Sequence, residues 1–106
     1  MKATIWHNPR CSKSRETLAL LEEAGAEITI VEYLKSPPTR DELERVYRRG
    51  GIHPRDAMRK DAPRLADDAA ALDAMAADSA LIERPVVETG KGVVIARPPE
   101  RVRDIL

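Results

Sequence analysis

Cys11 is the one cysteine of the chain, and it stands in a segment crowded with polar chemistry: His7-Asn8-Pro9-Arg10-Cys11-Ser12-Lys13-Ser14-Arg15. A thiol attacks only as thiolate, and the two influences that lower its pKa are a helix N-terminus and nearby cations. Both are on offer here. Helical spacing begins at Ser12, so first-turn N–H groups point back at the sulfur, and Lys13 and Arg15 add positive charge. The same turn can wrap backbone donors around an anion, as helix starts do for phosphate. His7 lies at the end of a strand pattern and can hydrogen-bond either the sulfur or the turn that holds it. Read from position alone, the cysteine is either this reactive thiol or a small residue in a capping region.

Three familiar chemistries fail on spacing. A dithiol centre needs a second cysteine at Cys-x-x-Cys, and that position is Ser14. A Cys-x5-Arg phosphatase loop needs arginine where Thr17 stands. One Cys and two His without clustered spacing supply too few ligands for zinc, so no metal is expected. A single cysteine also makes no internal disulfide, which agrees with a reducing compartment. Any resolving thiol must then come from another molecule.

The elements that must position Cys11 follow from periodicity. Lys2 to His7 alternate as a strand, with Ala3, Ile5 and His7 on one side and Thr4 and Trp6 on the other, and Asn8-Pro9 ends it. A helix from Ser12 carries Ser14, Leu18, Leu21 and Gly25 on one stripe, with Gly25 closing it. Glu27 to Leu34 is β-branched and reads as a second strand, giving a parallel pair by right-handed crossover. After Pro37-Pro38, Thr39-Arg40-Asp41-Glu42 forms a capping box for a helix that turns Leu43, Val46 and Tyr47 inward, stopped by Gly50-Gly51. Residues 53 to 82 read as two or three short helices, with Asp67 or Asp68 as a cap and Leu72, Met75 and Ala76 as the apolar stripe. Val86-Val87-Glu88 and Val93-Val94-Ile95 make a hairpin, and Glu100 to Leu106 a terminal helix that buries Val102, Ile105 and Leu106.

The order β-α-β, helices, β-β-α is that of a thioredoxin-like fold: a four-stranded mixed sheet flanked by helices, with a helical insertion at about 53–82 between the two halves. A chain of 106 residues is expected to be one domain, spanning 1–106. The balance of 34% charged and 42% apolar residues excludes a disordered or membrane chain. Eighteen basic and eighteen acidic residues cancel, so no net field draws nucleic acid or anionic lipid. The first residues, Met1 to His7, meet Asn8-Pro9 with no apolar stretch of a signal peptide, and the expected location is the cytoplasm.

The Cys11 segment resembles the active-site segment of the glutathione- and glutaredoxin-linked arsenate reductase family. The likeness continues, in the family's order, through Tyr33-Leu34, Pro37-Pro38-Thr39-Arg40-Asp41-Glu42-Leu43, Met58-Arg59-Lys60, Glu83-Arg84-Pro85-Val86-Val87 and Ala96-Arg97-Pro98, and so covers nearly the whole chain. The resemblance implies that Cys11 is the nucleophile and that Arg59, Arg84 and Arg97 hold the substrate and its covalent adduct, with Arg15 beside them. His7 and Ser14 match positions that assist the thiolate through hydrogen bonds, and Pro85 matches the cis-proline facing the cysteine. Arsenate is a dianion near neutral pH, so fixed cations must offset its repulsion from a thiolate. No cofactor is implied; glutathione enters as co-substrate and glutaredoxin as partner. Ser12-Lys13 stands where better-studied members carry a smaller pair, the segment 62–78 is short, and the chain ends at Leu106 without their C-terminal extension. The likeness is therefore to a compact branch. Two other readings stand beside it: a non-enzymatic thioredoxin-like regulatory or interaction module, and a glutathione-linked thiol protein acting on another oxyanion or thiol.

Overall fold

A computed structural model describes residues 1–106. Its frame is one four-stranded sheet in the order β2-β1-β3-β4, built from β1 (Lys2–Trp6), β2 (Glu27–Val31), β3 (Val86–Thr89) and β4 (Gly92–Ile95). β1 pairs with β2 in parallel, from Lys2 opposite Glu27 to Trp6 opposite Val31, and antiparallel with β3, from Ala3 opposite Thr89 to Trp6 opposite Val86. β3 and β4 form the expected antiparallel hairpin. The helices α1 (Ser12–Glu23), α2 (Arg40–Gly50) and α3 (Asp68–Ala77), with 3-10 turns at Pro54–Ala57, Ser79–Leu81 and Pro99–Ile105, complete the chain.

Alternation along the strands divides the core between the two faces of the sheet. Ala3, Ile5, Val87 and Val94 pack with Leu21 of α1 and with Val102 and Ile105 of the C-terminal turn. Trp6, Val86 and Val93 point the other way, into Leu43, Val46 and Tyr47 of α2 and Leu72 and Met75 of α3. Trp6 meets Tyr47 edge to face, with ring centroids 6.1 Å apart. α2 and the insertion thus cover one face, and α1 with the C-terminal turn the other.

Local signals explain the helix ends. Thr39 accepts the Glu42 N–H at 3.2 Å, Asp41 and Glu42 occupy the first turn of α2, and Gly51 ends it in the left-handed conformation at φ 64°. α1 closes as the spacing predicts: Ala26 N–H reaches the Leu21 carbonyl and Gly25 N–H the Glu22 carbonyl, with Gly25 at φ 73°. Asp67 is the cap of α3, accepting from Ala70 N–H at 2.8 Å.

Several expectations change. β2 stops at Val31 rather than Leu34, because Glu32 turns the chain, its carbonyl accepting from the Lys35 and Ser36 N–H groups, and Tyr33 is buried at the sheet's end. On α1 the buried positions are Ser14, Thr17 and Leu21. Thr17 is tolerated there because its hydroxyl donates to the Lys13 carbonyl at 2.8 Å. On α3 Ala71 rather than Ala76 is buried with Leu72 and Met75. The last element starts at Pro99 as a 3-10 helix, and Leu106 is only half-buried while Val102 and Ile105 are buried as expected.

One small feature decides where the insertion lies. Glu83 N–H donates to the Ala57 carbonyl at 2.9 Å and Arg59 N–H to the Leu81 carbonyl at 2.8 Å, around an isolated antiparallel bridge between Met58 and Ile82. The insertion is zipped at its base to the segment that leads into β3.

Candidate active site

Cys11 is the N-cap of α1, with extended backbone at φ −92° and ψ 121°. It ends a loop that is itself tightly held. Cys11 N–H donates to the Asn8 carbonyl at 3.0 Å, Arg10 N–H to the Asn8 side-chain oxygen at 3.0 Å, and the Arg15 guanidinium to the Pro9 carbonyl at 2.9 Å. The sulfur is partly exposed and makes no capping bond. Burial pushes its pKa up, but the Ser14 and Lys13 N–H groups and the charge and hydrogen bonding of Arg84 outweigh this, and the thiol lies below its ordinary value. The helix start and a cation act together, as the sequence leads one to expect, although the cation is Arg84 rather than a neighbour within the segment.

His7 and Ser14 stand behind the sulfur. His7 Nδ1 lies 2.6 Å from Ser14 Oγ, and the same hydroxyl accepts the Asn8 N–H at 3.0 Å. Both residues are buried, Ser14 completely. Burial lowers the His7 pKa, with Arg15 acting in the same direction and Glu32 against it, so the ring is neutral near pH 7. Of the two partners open to His7 from sequence, the structure selects the turn: imidazole and hydroxyl brace the loop that carries the thiol.

The three arginines come from separate elements to one place. Arg59, Arg84 and Arg97, with Lys60, Asp61 and Glu83, line a cavity of about 250 Å³. Arg59 arrives through the zipper at the base of the insertion, directly after Met58 of the bridge. Arg84 precedes Pro85 at the head of β3, across a cis peptide bond. Arg97 follows β4 and donates to the Arg84 carbonyl at 3.2 Å, and its own bond to Pro98 is also cis, which sequence did not anticipate. Arg84 is the most buried of the three side chains, at 17% exposure against 38% for Arg59 and 37% for Arg97. It is also the one that acts on Cys11. Cys11 itself does not line this cavity.

Arg15 lies elsewhere. Its guanidinium is engaged on the Pro9 carbonyl and does not line the cavity. Tyr33, quoted in the sequence only as part of a motif, is buried within reach of the site: burial raises its phenol pKa, opposed by Arg84, Asn8 and Arg59. Glu83, Asp61 and Lys60 also enter the cavity without having been singled out; each is a chain neighbour of a candidate arginine, which was the available signal. A more capacious cavity, about 370 Å³, lies among His53, Arg55, Asp56, Arg64, Asp67 and Asp68 and contains no nucleophile. No group of three or more His, Cys, Asp or Glu side chains is arranged to hold a metal ion.

A β-α-β and β-β-α sheet with a cysteine capping the first helix and a cis-proline opening the third strand defines a thioredoxin-like thiol protein. The match to known proteins is more specific: the ArsC family pattern covers residues 6–105, and the chain belongs to that family. It is 44% identical to the arsenate reductase of Rhizobium meliloti (strain 1021), over all of this chain and 82% of that protein. Identity to the arsenate reductase of Escherichia coli (strain K12) is 41%, over 97% of this chain and 79% of the relative. Among solved structures, the arsenate reductase from Vibrio cholerae superposes with a TM-score of 0.92 at 40% identity, covering 100% of this chain and 98% of that one.

Proposed function

We propose that this protein reduces arsenate to arsenite, with Cys11 as nucleophile and Arg59, Arg84 and Arg97 as the oxyanion's cradle. The observation that carries the reading is a partly exposed thiol capping α1, in a fold that brings Arg59, Arg84 and Arg97 from separate elements to line one cavity. Names of relatives at 44% and 41% identity over nearly the whole chain supply the oxyanion.

The chemistry follows from charge. An arsenate dianion enters the cavity, where forked Arg donors neutralise its oxygens and lower the repulsion toward the thiolate. Cys11 Sγ bonds to arsenic and one arsenate oxygen leaves as water after protonation. The arginines hold the charge that develops on the remaining oxygens. Reduction needs two electrons, and with one cysteine in the chain both come from outside. Glutathione displaces a second arsenate oxygen as water, glutaredoxin's thiol takes the glutathione as a mixed disulfide and leaves arsenic(III) on Cys11, and hydrolysis of that sulfur–arsenic bond releases arsenite. The balance is arsenate plus two thiols giving arsenite, one disulfide and water. His7, Ser14 and Asn8 keep the loop rigid while this happens. A partly exposed sulfur suits transfer to an external thiol.

The experiment is arsenate-dependent NADPH consumption in the presence of glutathione, glutathione reductase and glutaredoxin. Wild type should turn over and Cys11→Ser should be silent. Equal rates for the two proteins would remove the proposal.

A further inference from the structure

The cavity contains an anion of the protein's own. Glu83 is buried, with 8% of its surface exposed, and its Oε1 lies 3.3 Å from an Arg84 terminal nitrogen and 4.0 Å from Arg97 Nε. One carboxylate oxygen therefore faces two of the three guanidiniums that cradle the substrate. Its main chain is tied to the base of the insertion by the bond from Glu83 N–H to the Ala57 carbonyl at 2.9 Å, and its side chain is buried against the two arginines. Burying a carboxylate is costly unless cations face it, and here two do. The arginines gain in return, because without an anion two close guanidiniums repel each other. Arg84 Nε is nevertheless buried with no partner at all, a donor left over after Glu83 has been served. The remaining charged groups of the cavity are Arg59, paired with Asp61 at 3.3 Å, and Lys60.

We propose that Glu83 is an internal counter-anion that sets the affinity of the site: it occupies Arg84 and Arg97, and an incoming oxyanion must share them with it. The inference rests on the oxyanion chemistry proposed above and adds a residue to it. Glu83 touches no reacting atom and acts through the arginines, so it is a positioning residue. Its carboxylate weakens the hold on any oxyanion of the cavity and, by drawing on the charge of Arg84, limits how far that arginine favours the Cys11 thiolate. A site with this arrangement holds an anionic substrate less tightly than the same arginines would without the carboxylate.

The test uses arsenate protection of Cys11 against iodoacetamide, which needs no reducing partner. Glu83→Gln keeps the side chain's shape and its backbone bond while removing the charge. It should lower the half-protecting arsenate concentration at least about five-fold, the scale of one unit charge removed from a partly screened site. The alkylation profile of Cys11 without arsenate should shift to lower pH. A merely structural glutamate predicts the opposite sign, since loosening the pocket weakens binding and lets the thiol return to its ordinary pKa. Glu83→Ala provides a second variant with the same expected direction. If both variants bind arsenate no more tightly than wild type, while wild type is protected, the role of Glu83 is overturned and the arginine cradle stands. If arsenate fails to protect wild type, the underlying oxyanion reading is what has failed.

Discussion

Removing the Ser14 hydroxyl separates two roles that position alone would merge. In Ser14→Ala the backbone N–H that favours the Cys11 thiolate remains, because it belongs to the main chain of α1. What disappears is the oxygen that lies 2.6 Å from His7 Nδ1 and accepts the Asn8 N–H at 3.0 Å. Both groups then lack this partner, and the buried His7 ring is the one that water reaches least. One such orphaned buried group costs about 1–3 kcal/mol, and the better helix propensity of alanine returns at most about 0.5 kcal/mol. A net loss near 2 kcal/mol should lower Tm by about 8–16 °C in a domain of this size. Loop geometry has independent support from the Cys11, Arg10 and Arg15 bonds to Asn8 and Pro9, so the pH profile of Cys11 alkylation should move by less than about half a pH unit. Calorimetry and a pH-resolved alkylation series make the comparison. An unchanged Tm together with a thiol pKa raised by a full unit would show that the hydroxyl serves the sulfur directly, and would refute the assignment of Ser14 to the loop.

Arg84→Met should do the reverse: Cys11 should titrate at higher pH than in wild type, because the charge and hydrogen bond that oppose burial at the sulfur are lost, and an unaltered alkylation profile would contradict this. Stability should also respond to His7, whose folded pKa is depressed chiefly by burial. The unfolded chain then binds the proton more readily, so the contribution is complete above the ordinary histidine pKa near 6.5 and is lost as pH falls through the lower folded value. Urea unfolding between pH 7.5 and pH 5 should show that decline in wild type and a flatter dependence in His7→Gln; parallel curves would show that His7 is not the group responsible.

The parts of this site that were legible in the sequence are those whose partners are near in the chain. Cys11 at a helix start, the Thr39 to Glu42 capping box and the Gly25 terminus depend on contacts within a turn or two, and each lies where its spacing put it. The grouping of Arg59, Arg84 and Arg97 was legible only through family resemblance, since a register bridge between Met58 and Ile82 and the hairpin after Pro85 bring them together. Arg15 lies outside the arginine cavity for the opposite reason: the geometry of its own turn directs the guanidinium to the Pro9 carbonyl. Glu83 and Tyr33 passed without a role because residue type carries no sign of burial when the partners are distant. Thr17 was overlooked for a related reason, its hydroxyl being satisfied within its own helix. The two-faced core, by contrast, follows from strand alternation that is written locally.

The bridge between Met58 and Ile82 makes the intervening chain a closed excursion, a lasso whose neck, rather than its body, presents Arg59 to Arg84. Closure entropy grows only with the logarithm of loop length. Between Asp61 and Ala80 the chain can therefore lengthen or shorten, provided α3 still covers its face of the sheet, and the anion pocket at the neck will not register the change.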